Sequence, residues 1–271
     1  MSEIVSALAA VVAASGVALL AYRRRTLAMS GAVAAAIVGA LIVIGAGWWG
    51  GLILITFFIT SSAFSLMRAR RRSGTSDRHA RGHRRDTIQV AANGGLATLF
   101  AILYGLTDKP AVFAAFAGAL AAANADTWAT EIGGMSGQRP RLLLSGKRVE
   151  PGVSGGVTTA GLLASLAGAA CIGLVAALGI ALGLVDHAPG TVRILVALTI
   201  GGFVGSIVDS ALGESVQAVY FCPVCEVETE ERVHRCGNEA KRLRGNGVIN
   251  NDAVNGLATL TGAVVAGLLT L

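Results

Sequence analysis

Charged residues are scarce in this chain of 271 residues: Asp, Glu, Lys and Arg make up 14%, whereas hydrophobic residues make up 54%. The mean hydropathy is +0.66. These values are typical of polytopic membrane proteins. Long polar segments are also missing, since the connections between apolar runs have at most about 20 to 30 residues. The sequence therefore shows no soluble domain.

A cleavable signal peptide is not visible either. No basic residue precedes the first apolar run, Ile4 to Ala21, and three arginines follow it. This is the reverse of the order in a signal peptide, so we expect the run to be a retained span.

Apolar runs near the length of a bilayer crossing, about 20 residues, predict about eight transmembrane helices. Only Gly47 separates the second run from the third, so these two could form a tight hairpin or a broken helix. We expect one all-α transmembrane domain over residues 1–271. The runs fall at roughly 4–22, 28–46, 48–67, 88–106, 111–128, 156–184, 191–216 and 252–271.

The formal net charge of +6 does not predict a nucleic-acid partner, because the basic residues follow the topology. All 22 lysines and arginines except Lys109 and Arg193 follow the first, third, fifth or seventh run. Basic connections mark the cytoplasmic side of a membrane. We therefore expect an integral protein of the cell membrane with both termini outside. The expected cytoplasmic loops are 68–87, 129–154 and 221–249.

Polar residues cluster where four of the predicted helices meet the cytoplasmic interface. At 1.5 Å per residue they lie within about two helical turns of that level. Asp126 follows an uncharged run, and a carboxylate there is costly unless something binds it. Solvated helix ends would explain one such acid, whereas four helices with the same chemistry favour a metal or phosphate site. The residues are Arg85, Asn93, Asn124, Asp126, Glu131, Asp209, Glu214, Asn251 and Asn255.

Two of these segments share the pattern Asp-[Ser/Thr]-x-x-x-Glu. Asp126-Thr127 precedes Glu131, and Asp209-Ser210 precedes Glu214. A pair of such segments could hold Mg²⁺, which takes one or two carboxylates together with phosphate oxygens and water. Chance similarity of short acidic helix ends, or packing of acids in a bundle, is the alternative.

The loop from Pro140 to Gly156 combines Lys147 with a glycine-rich stretch that leads into the sixth run. Glycine-rich turns before a helix expose backbone N–H groups that suit phosphate. The stretch is not a Walker A motif, and by itself it is also consistent with an ordinary turn.

Three of the four cysteines lie in the last cytoplasmic loop. Cys222 and Cys225 form a Cys-x₂-Cys pair, and His234 and Cys236 follow. Together they could supply a tetrahedral Cys₃His site for a structural Zn²⁺. Ordinary reduced thiols are the alternative, because a disulfide is disfavoured in the cytoplasm. Cys171 lies in an apolar run and is predicted to be a core residue.

Five stretches together resemble an integral-membrane family of unknown function that includes the plant phytyl-phosphate kinase and an animal transmembrane homologue. The similarity covers roughly residues 28 to 271, and its most specific part is the core Ala-Asp-Thr-Trp-Ala-Thr-Glu-Ile-Gly. The chain also resembles, more distantly, the polyprenol kinases that use CTP. The five stretches are Arg85–Gly94, Asn124–Gly133, Gly152–Thr158, Gly205–Gly213 and Asn251–Asn255.

The resemblance implies phosphorylation of a prenyl monophosphate, of the phytyl- or geranylgeranyl-phosphate type, to the diphosphate. The donor would be a nucleoside triphosphate, CTP or ATP. Chemistry and topology then suggest the roles. Asp126 and Asp209 would bind Mg²⁺ with help from Glu131 or Glu214. The phosphate ligands would be Arg85, Asn93, Asn124, Lys147, Asn251 and Asn255.

A membrane transporter or channel with an acidic site on the cytoplasmic side is the alternative function. Acids within a membrane also mark ion pathways, but a transport site should lie near the midplane. The two similar segments both run inward, so they are not an inverted pair. A lipid-binding scaffold without catalysis would leave the acidic cluster unexplained.

Overall fold

The structure of the protein, a computed structural model, describes residues 3–72, 84–186, 189–234 and 236–271. Over these residues it contains seven α-helices and two small β-sheets. Five of these helices, α1, α2, α3, α5 and α6, are long and apolar enough to cross a membrane. This confirms the predicted all-α membrane class. The helices are α1 (Glu3–Arg23), α2 (Met29–Arg72), α3 (Thr87–Thr107), α4 (Pro110–Met135), α5 (Thr159–Ala181), α6 (Thr191–Ser215) and α7 (Asn251–Leu268).

Helix α2 has 44 residues and folds back on itself at Gly47, where φ is 70° and ψ is −178°. Glycine adopts this left-handed backbone without steric cost. A Cβ added to Gly39 would lie only 3.9 Å from Leu54 Cδ2, whereas the two residues would be about 22 Å apart in a straight helix. The predicted runs 28–46 and 48–67 are therefore two arms of one helical hairpin. For this reason the described helices number fewer than the predicted eight.

Helix α4 lies at the centre of the bundle, in contact with α2, α3, α5, α6 and α7. Its residues from Phe113 to Ala125 are all buried. Small residues allow the close contacts, because a Cβ on Gly118 would lie 2.6 Å from Ala266 Cβ of α7. Such packing is typical of helices in lipid, where small side chains bring backbones together.

The connections at one end of the bundle form the two sheets. Strand β1 (Arg141–Leu142) pairs with β2 (Gly156–Val157) between α4 and α5. Between α6 and α7, β3 (Val219–Cys222) lies in the middle of an antiparallel sheet with β4 (Val227–Thr229) and β5 (Lys241–Arg244). We call this the polar end: α2, α4 and α6 finish there, and α3, α5 and α7 begin there.

The predicted loops differ from the structure in two ways. Helix α2 continues to Arg72 and α4 to Met135, so the first residues of the predicted loops 68–87 and 129–154 are helical. The predicted loop 221–249 contains β4, β5 and the end of β3, which helical periodicity could not indicate. Residues 73–83 and Arg235 of these loops lie outside the described residues.

Candidate functional site

Asp126 and Asp209 come together because α4 and α6 run parallel and in register. A Cβ on Gly202 would lie 2.9 Å from the carbonyl carbon of Ala121, and one on Gly205 would lie 2.6 Å from Ala122 Cβ. Each aspartate follows this contact by about one helical turn. The two carboxylates are close enough to interact electrostatically.

Asp209 is held in an environment that favours a cation. Its Oδ2 is buried and accepts no hydrogen bond from any described residue. A buried carboxylate oxygen without a donor is costly, and an ion or a bound ligand can offset that cost. Two carboxylates on neighbouring helices match the ligands that Mg²⁺ prefers.

Glu230 is a further carboxylate near the end of α6, and no pattern in the sequence indicated it. It follows β4 and accepts a hydrogen bond of 2.9 Å from Nε2 of Gln217, which is buried just after α6. Its charge acts on both Asp126 and Asp209. The cysteines around Glu230 are the one sequence signal that this loop folds, but they do not show where the loop packs.

The two predicted glutamates have other partners. Glu131 accepts 2.7 Å from Ser65 Oγ and 3.4 Å from Arg68 NH1, so it joins α4 to the second arm of α2. Glu214 accepts 2.6 Å from Leu144 N and 3.0 Å from Ser145 N, so it holds the turn after β1. Each glutamate therefore has a structural contact, although an oxygen that accepts one hydrogen bond can still accept another. The charge of Glu131 also acts on Asp126. The catalytic roles of Glu131 and Glu214 stay predictions.

Asn124 also has a structural position rather than the predicted role as a phosphate ligand. Its Oδ1 accepts from Thr60 and Ser61, and its Nδ2 donates 2.8 Å to Gly168 O. The residue is fully buried. It therefore joins α2, α4 and α5, and its side chain is enclosed by these helices.

Arg85 and Asn93 line a cavity of about 270 Å³. Most of its wall is apolar and comes from α1, both arms of α2 and the beginning of α3. Gln89 and Thr127 complete the polar part, and Thr127 directly follows Asp126 in α4. The cavity thus has an apolar body and a polar wall, and the wall includes the residue that follows Asp126 in α4.

The backbone around Arg85 is fixed from both sides. Arg85 donates 3.0 Å to Thr26 O and accepts 2.9 Å from Ala28 N. The next residue, Asp86, caps α3 by accepting 3.0 Å from Gln89 N. The guanidinium carbon lies 5.7 Å from the ring centre of Phe57, and NH1 is buried without a hydrogen-bond partner among the described residues. A phosphate oxygen could provide that partner.

The remaining predicted phosphate ligands lie away from this cavity wall. Lys147 is exposed in the connection between β1 and β2. Asn251 is the first residue of α7 and Asn255 lies one turn later, both partly exposed at the polar end. They remain predicted ligands for the part of a substrate outside the cavity.

The predicted Cys₃His group converges. The ligand atoms of Cys222, Cys225, His234 and Cys236 all lie within 4.8 Å of one another. Hydrogen bonds from Asn238 and His234 lower the pKa of the Cys236 thiol to about 6. The hydrogen bond with Cys236 raises the pKa of the Cys225 thiol to about 11, so the two thiols share a proton unequally. The convergence of the four ligand atoms is the feature that suits a metal ion.

Comparisons with known proteins identify relatives by sequence. The chain is 32% identical to Protein PGR of Arabidopsis thaliana over an alignment of 196 residues. This alignment covers 66% of the chain and 67% of Protein PGR. The chain is also 29% identical to an uncharacterized membrane protein of Methanocaldococcus jannaschii over an alignment of 185 residues. This alignment covers 68% of the chain and 62% of the archaeal protein. The aligned regions thus span about two thirds of each relative.

No solved structure matches the chain. The model of the family described as "Integral membrane protein DUF92" matches residues 12–263, a range that contains the acidic pair, the cavity and the Cys₃His group. The chain therefore belongs to the DUF92 family of integral membrane proteins.

Proposed function

We propose that the protein is a prenyl-phosphate kinase. It would transfer the γ-phosphoryl group of CTP or ATP to a lipid monophosphate of the phytyl- or geranylgeranyl-phosphate type. One observation carries this proposal: Thr127, the residue after Asp126 in α4, lines a largely apolar cavity whose polar wall includes Arg85. A phosphorylated lipid has the same division into an apolar tail and an anionic head.

Different residues would bind the two parts of the lipid substrate. The apolar walls from α1, α2 and α3 would bind the lipid tail. Arg85 would bind its phosphate, since a guanidinium forms paired hydrogen bonds with phosphate oxygens. Asn93 and Thr127 lie on the same wall and would orient the phosphate.

The acidic pair fits Mg²⁺, because one buried oxygen of Asp209 has no other hydrogen-bond partner in the described chain. Asp126 and Asp209 would hold the ion, which neutralises charge on the transferred phosphoryl group when bound. Glu230, which accepts a hydrogen bond from Gln217 just after α6, would add negative charge. Asn251, Asn255 and Lys147 would contact the nucleotide phosphates at the polar end.

The transfer needs no strong general base. An ionised oxygen of the lipid monophosphate attacks the γ-phosphorus, and a new P–O bond forms. The bond from the γ-phosphorus to the β–γ bridging oxygen breaks, and the nucleoside diphosphate leaves. Phosphoryl transfer depends mainly on positioning and charge stabilisation, which the group of Arg85, Asn93, Asp126 and Asp209 would supply.

The arrangement of the helices favours a kinase over a transporter. The two acidic segments lie on α4 and α6, which run parallel, whereas many transporter sites form between inverted repeats near the midplane. Here both segments lie in the half of their helix that leads to the polar end.

We propose that this end faces the cytoplasm, because nearly all basic residues fall in its connections. A cysteine introduced as Arg139→Cys should react with an impermeant thiol reagent only from the cytoplasmic side. Reaction from the outside alone would refute the orientation.

The test is a transfer assay with purified protein in lipid nanodiscs. Phytyl and geranylgeranyl monophosphates are offered with γ-labelled CTP or ATP, and labelled lipid diphosphate is extracted. We expect Mg²⁺-dependent product with at least one nucleotide. The absence of product with every pair would refute the kinase.

A variant of Arg85 tests the cavity. Arg85→Gln should raise the KM for the lipid phosphate by about tenfold, the effect of losing one charge-assisted contact worth roughly 1.4 kcal/mol. Arg139→Gln is the matched control, since Arg139 is exposed at the same end. An unchanged KM in Arg85→Gln would place the lipid phosphate elsewhere.

A further inference from the structure

The loop between α6 and α7 holds its Cys₃His group in two facing turns. Cys222 ends β3 and Cys225 lies in the turn to β4, which is closed by pairing of Cys222 with Val227. His234 and Cys236 lie in a second turn, closed by pairing of Val233 with Glu239. We propose that these four residues bind a structural Zn²⁺ and that this ion fixes Glu230 against Gln217, just after the helix that carries Asp209.

The distances between ligand atoms suit a tetrahedral zinc site. Zinc bonds of about 2.0–2.3 Å place neighbouring ligand atoms about 3.3–3.8 Å apart. Sγ of Cys222 lies 3.6 Å from Sγ of Cys236, and Nδ1 of His234 lies 3.2 Å from the same sulfur. Four ligands fill the coordination shell, so the site is structural rather than catalytic.

The surroundings of the ligands also match a metal site. Asn238 donates from Nδ2 to Sγ of Cys236 over 3.3 Å, and its carbonyl accepts 2.9 Å from His234 N. Donors to metal-bound sulfurs orient the ligands and stabilise their charge. The sheet has only three short strands. Such a small unit buries little apolar surface, and a metal commonly stabilises units of this size.

Glu230 lies on the stretch of chain that the ion would fix. The stretch leaves β4 after Thr229 and reaches the ligand His234 four residues after Glu230. Gln217 donates 2.9 Å to Glu230, which joins this stretch to the end of α6. A bound ion would thus hold one end of the stretch while β4 holds the other.

Zinc binding would affect the acidic pair through the position of Glu230. Its hydrogen-bond partner Gln217 follows α6, the helix that carries Asp209. The charge of Glu230 acts on both aspartates, so its placement should strengthen divalent-cation binding there. This second step rests on the proposed Mg²⁺ site, whereas the zinc site does not.

The first measurement is the metal content of the full chain, purified without chelators, by mass spectrometry. We expect about one zinc per chain in the wild type and in Cys171→Ser, whose thiol lies in α5. Cys225→Ser should lose the zinc. Wild-type protein without zinc, or with a Cys222–Cys236 disulfide in its place, would overturn the proposal.

The second measurement uses Mn²⁺ as the probe for the acidic pair, detected by electron paramagnetic resonance. Glu230→Gln should keep its zinc and bind Mn²⁺ about tenfold more weakly, the lower range for a residue that supports a metal site. This variant keeps the test valid even if Cys225→Ser does not fold. Gln217→Ala should weaken Mn²⁺ binding less.

The two proposals fail in different ways. Unchanged Mn²⁺ affinity in both Glu230→Gln and zinc-free Cys225→Ser would overturn the positioning role. Failure of zinc-loaded wild type to bind Mn²⁺ would overturn the Mg²⁺ site and the positioning role together, while the zinc content would still support the Cys₃His site.

Discussion

The segments Asp126–Glu131 of α4 and Asp209–Glu214 of α6 share one sequence pattern but use it differently. Their aspartates meet because the helices are parallel and in register at Ala122 and Gly205. Their glutamates point to separate partners, Glu131 to α2 and Glu214 to the turn after β1. Each motif thus combines a residue of the proposed site with a residue that holds the surrounding structure.

The polar contacts that fix the two segments differ as well. Asn124 of α4 is fully buried and joins three helices. The equivalent position two residues before Asp209 is Ile207, which has no polar side chain. The α4 segment is therefore fixed by polar contacts that α6 lacks at this position, whereas α6 is fixed at its end, where Arg244 donates to the carbonyls of Gly213 and Glu214.

The largest expected effect comes from the shared part of the pattern. Asp126→Asn or Asp209→Asn should each reduce kcat/KM by about 10² or more, the scale for removing one electrostatic stabiliser. The double variant should be little worse than either single one, because members of one catalytic unit are not additive. Folding should survive, since a neutral amide is less costly to bury than a carboxylate.

The control for these variants lies at the opposite end of the bundle. Asp108 caps the end of α3 through its backbone and is exposed, so Asp108→Asn should not change activity. Raised Mg²⁺ should partly restore a single Asp variant. Full activity in both would show that the acidic pair is structural, and additive losses would show that the two aspartates act separately.

The sequence predicted the helices, and the end of the helices where the polar residues lie, better than it predicted the contacts of those residues. Apolar runs and the distribution of arginines depend on local composition, so the membrane class and an interruption at Gly47 could be predicted. The choice between a hairpin and a broken helix could not, because it depends on the backbone angles of Gly47. The partners of Asn124 could not, because Thr60 and Gly168 are distant in sequence and only packing brings them together. Glu230 was missed for the same reason.

A smaller effect should follow from the polar contacts that only α4 has. Asn124→Ala removes hydrogen bonds to α2 and α5, which should lower the free energy of unfolding by about 1–2 kcal/mol, the upper range for such bonds in membrane proteins. Because Asn124 is fully buried within the bundle, the folded variant should keep the wild-type KM values. Thermal unfolding in detergent and the transfer assay measure the two quantities.

The matched variant for this comparison is Asn255→Ala. Asn255 is partly exposed at the polar end, so its loss should raise the KM for the nucleotide and leave the unfolding temperature nearly unchanged. The opposite pattern, with a raised KM and unchanged stability in Asn124→Ala, would restore the substrate role that the sequence suggested for Asn124.

The smallest effects should come from the two glutamates, and they should appear in different parts of the molecule. Glu214→Gln replaces one accepting oxygen with an NH₂ group that faces the N–H of Leu144 or Ser145, so the turn after β1 should loosen. Trypsin should then cleave faster at the exposed Lys147 and Arg148.

Glu131→Gln weakens the pair with Arg68 instead, and it should leave that cleavage rate unchanged. Since both oxygens of each glutamate already accept hydrogen bonds from the protein, we expect both variants to lose less than about tenfold in kcat/KM, below the scale of a direct electrostatic stabiliser. A hundredfold loss in Glu214→Gln with an unchanged cleavage rate would instead place Glu214 among the residues that act on the phosphates.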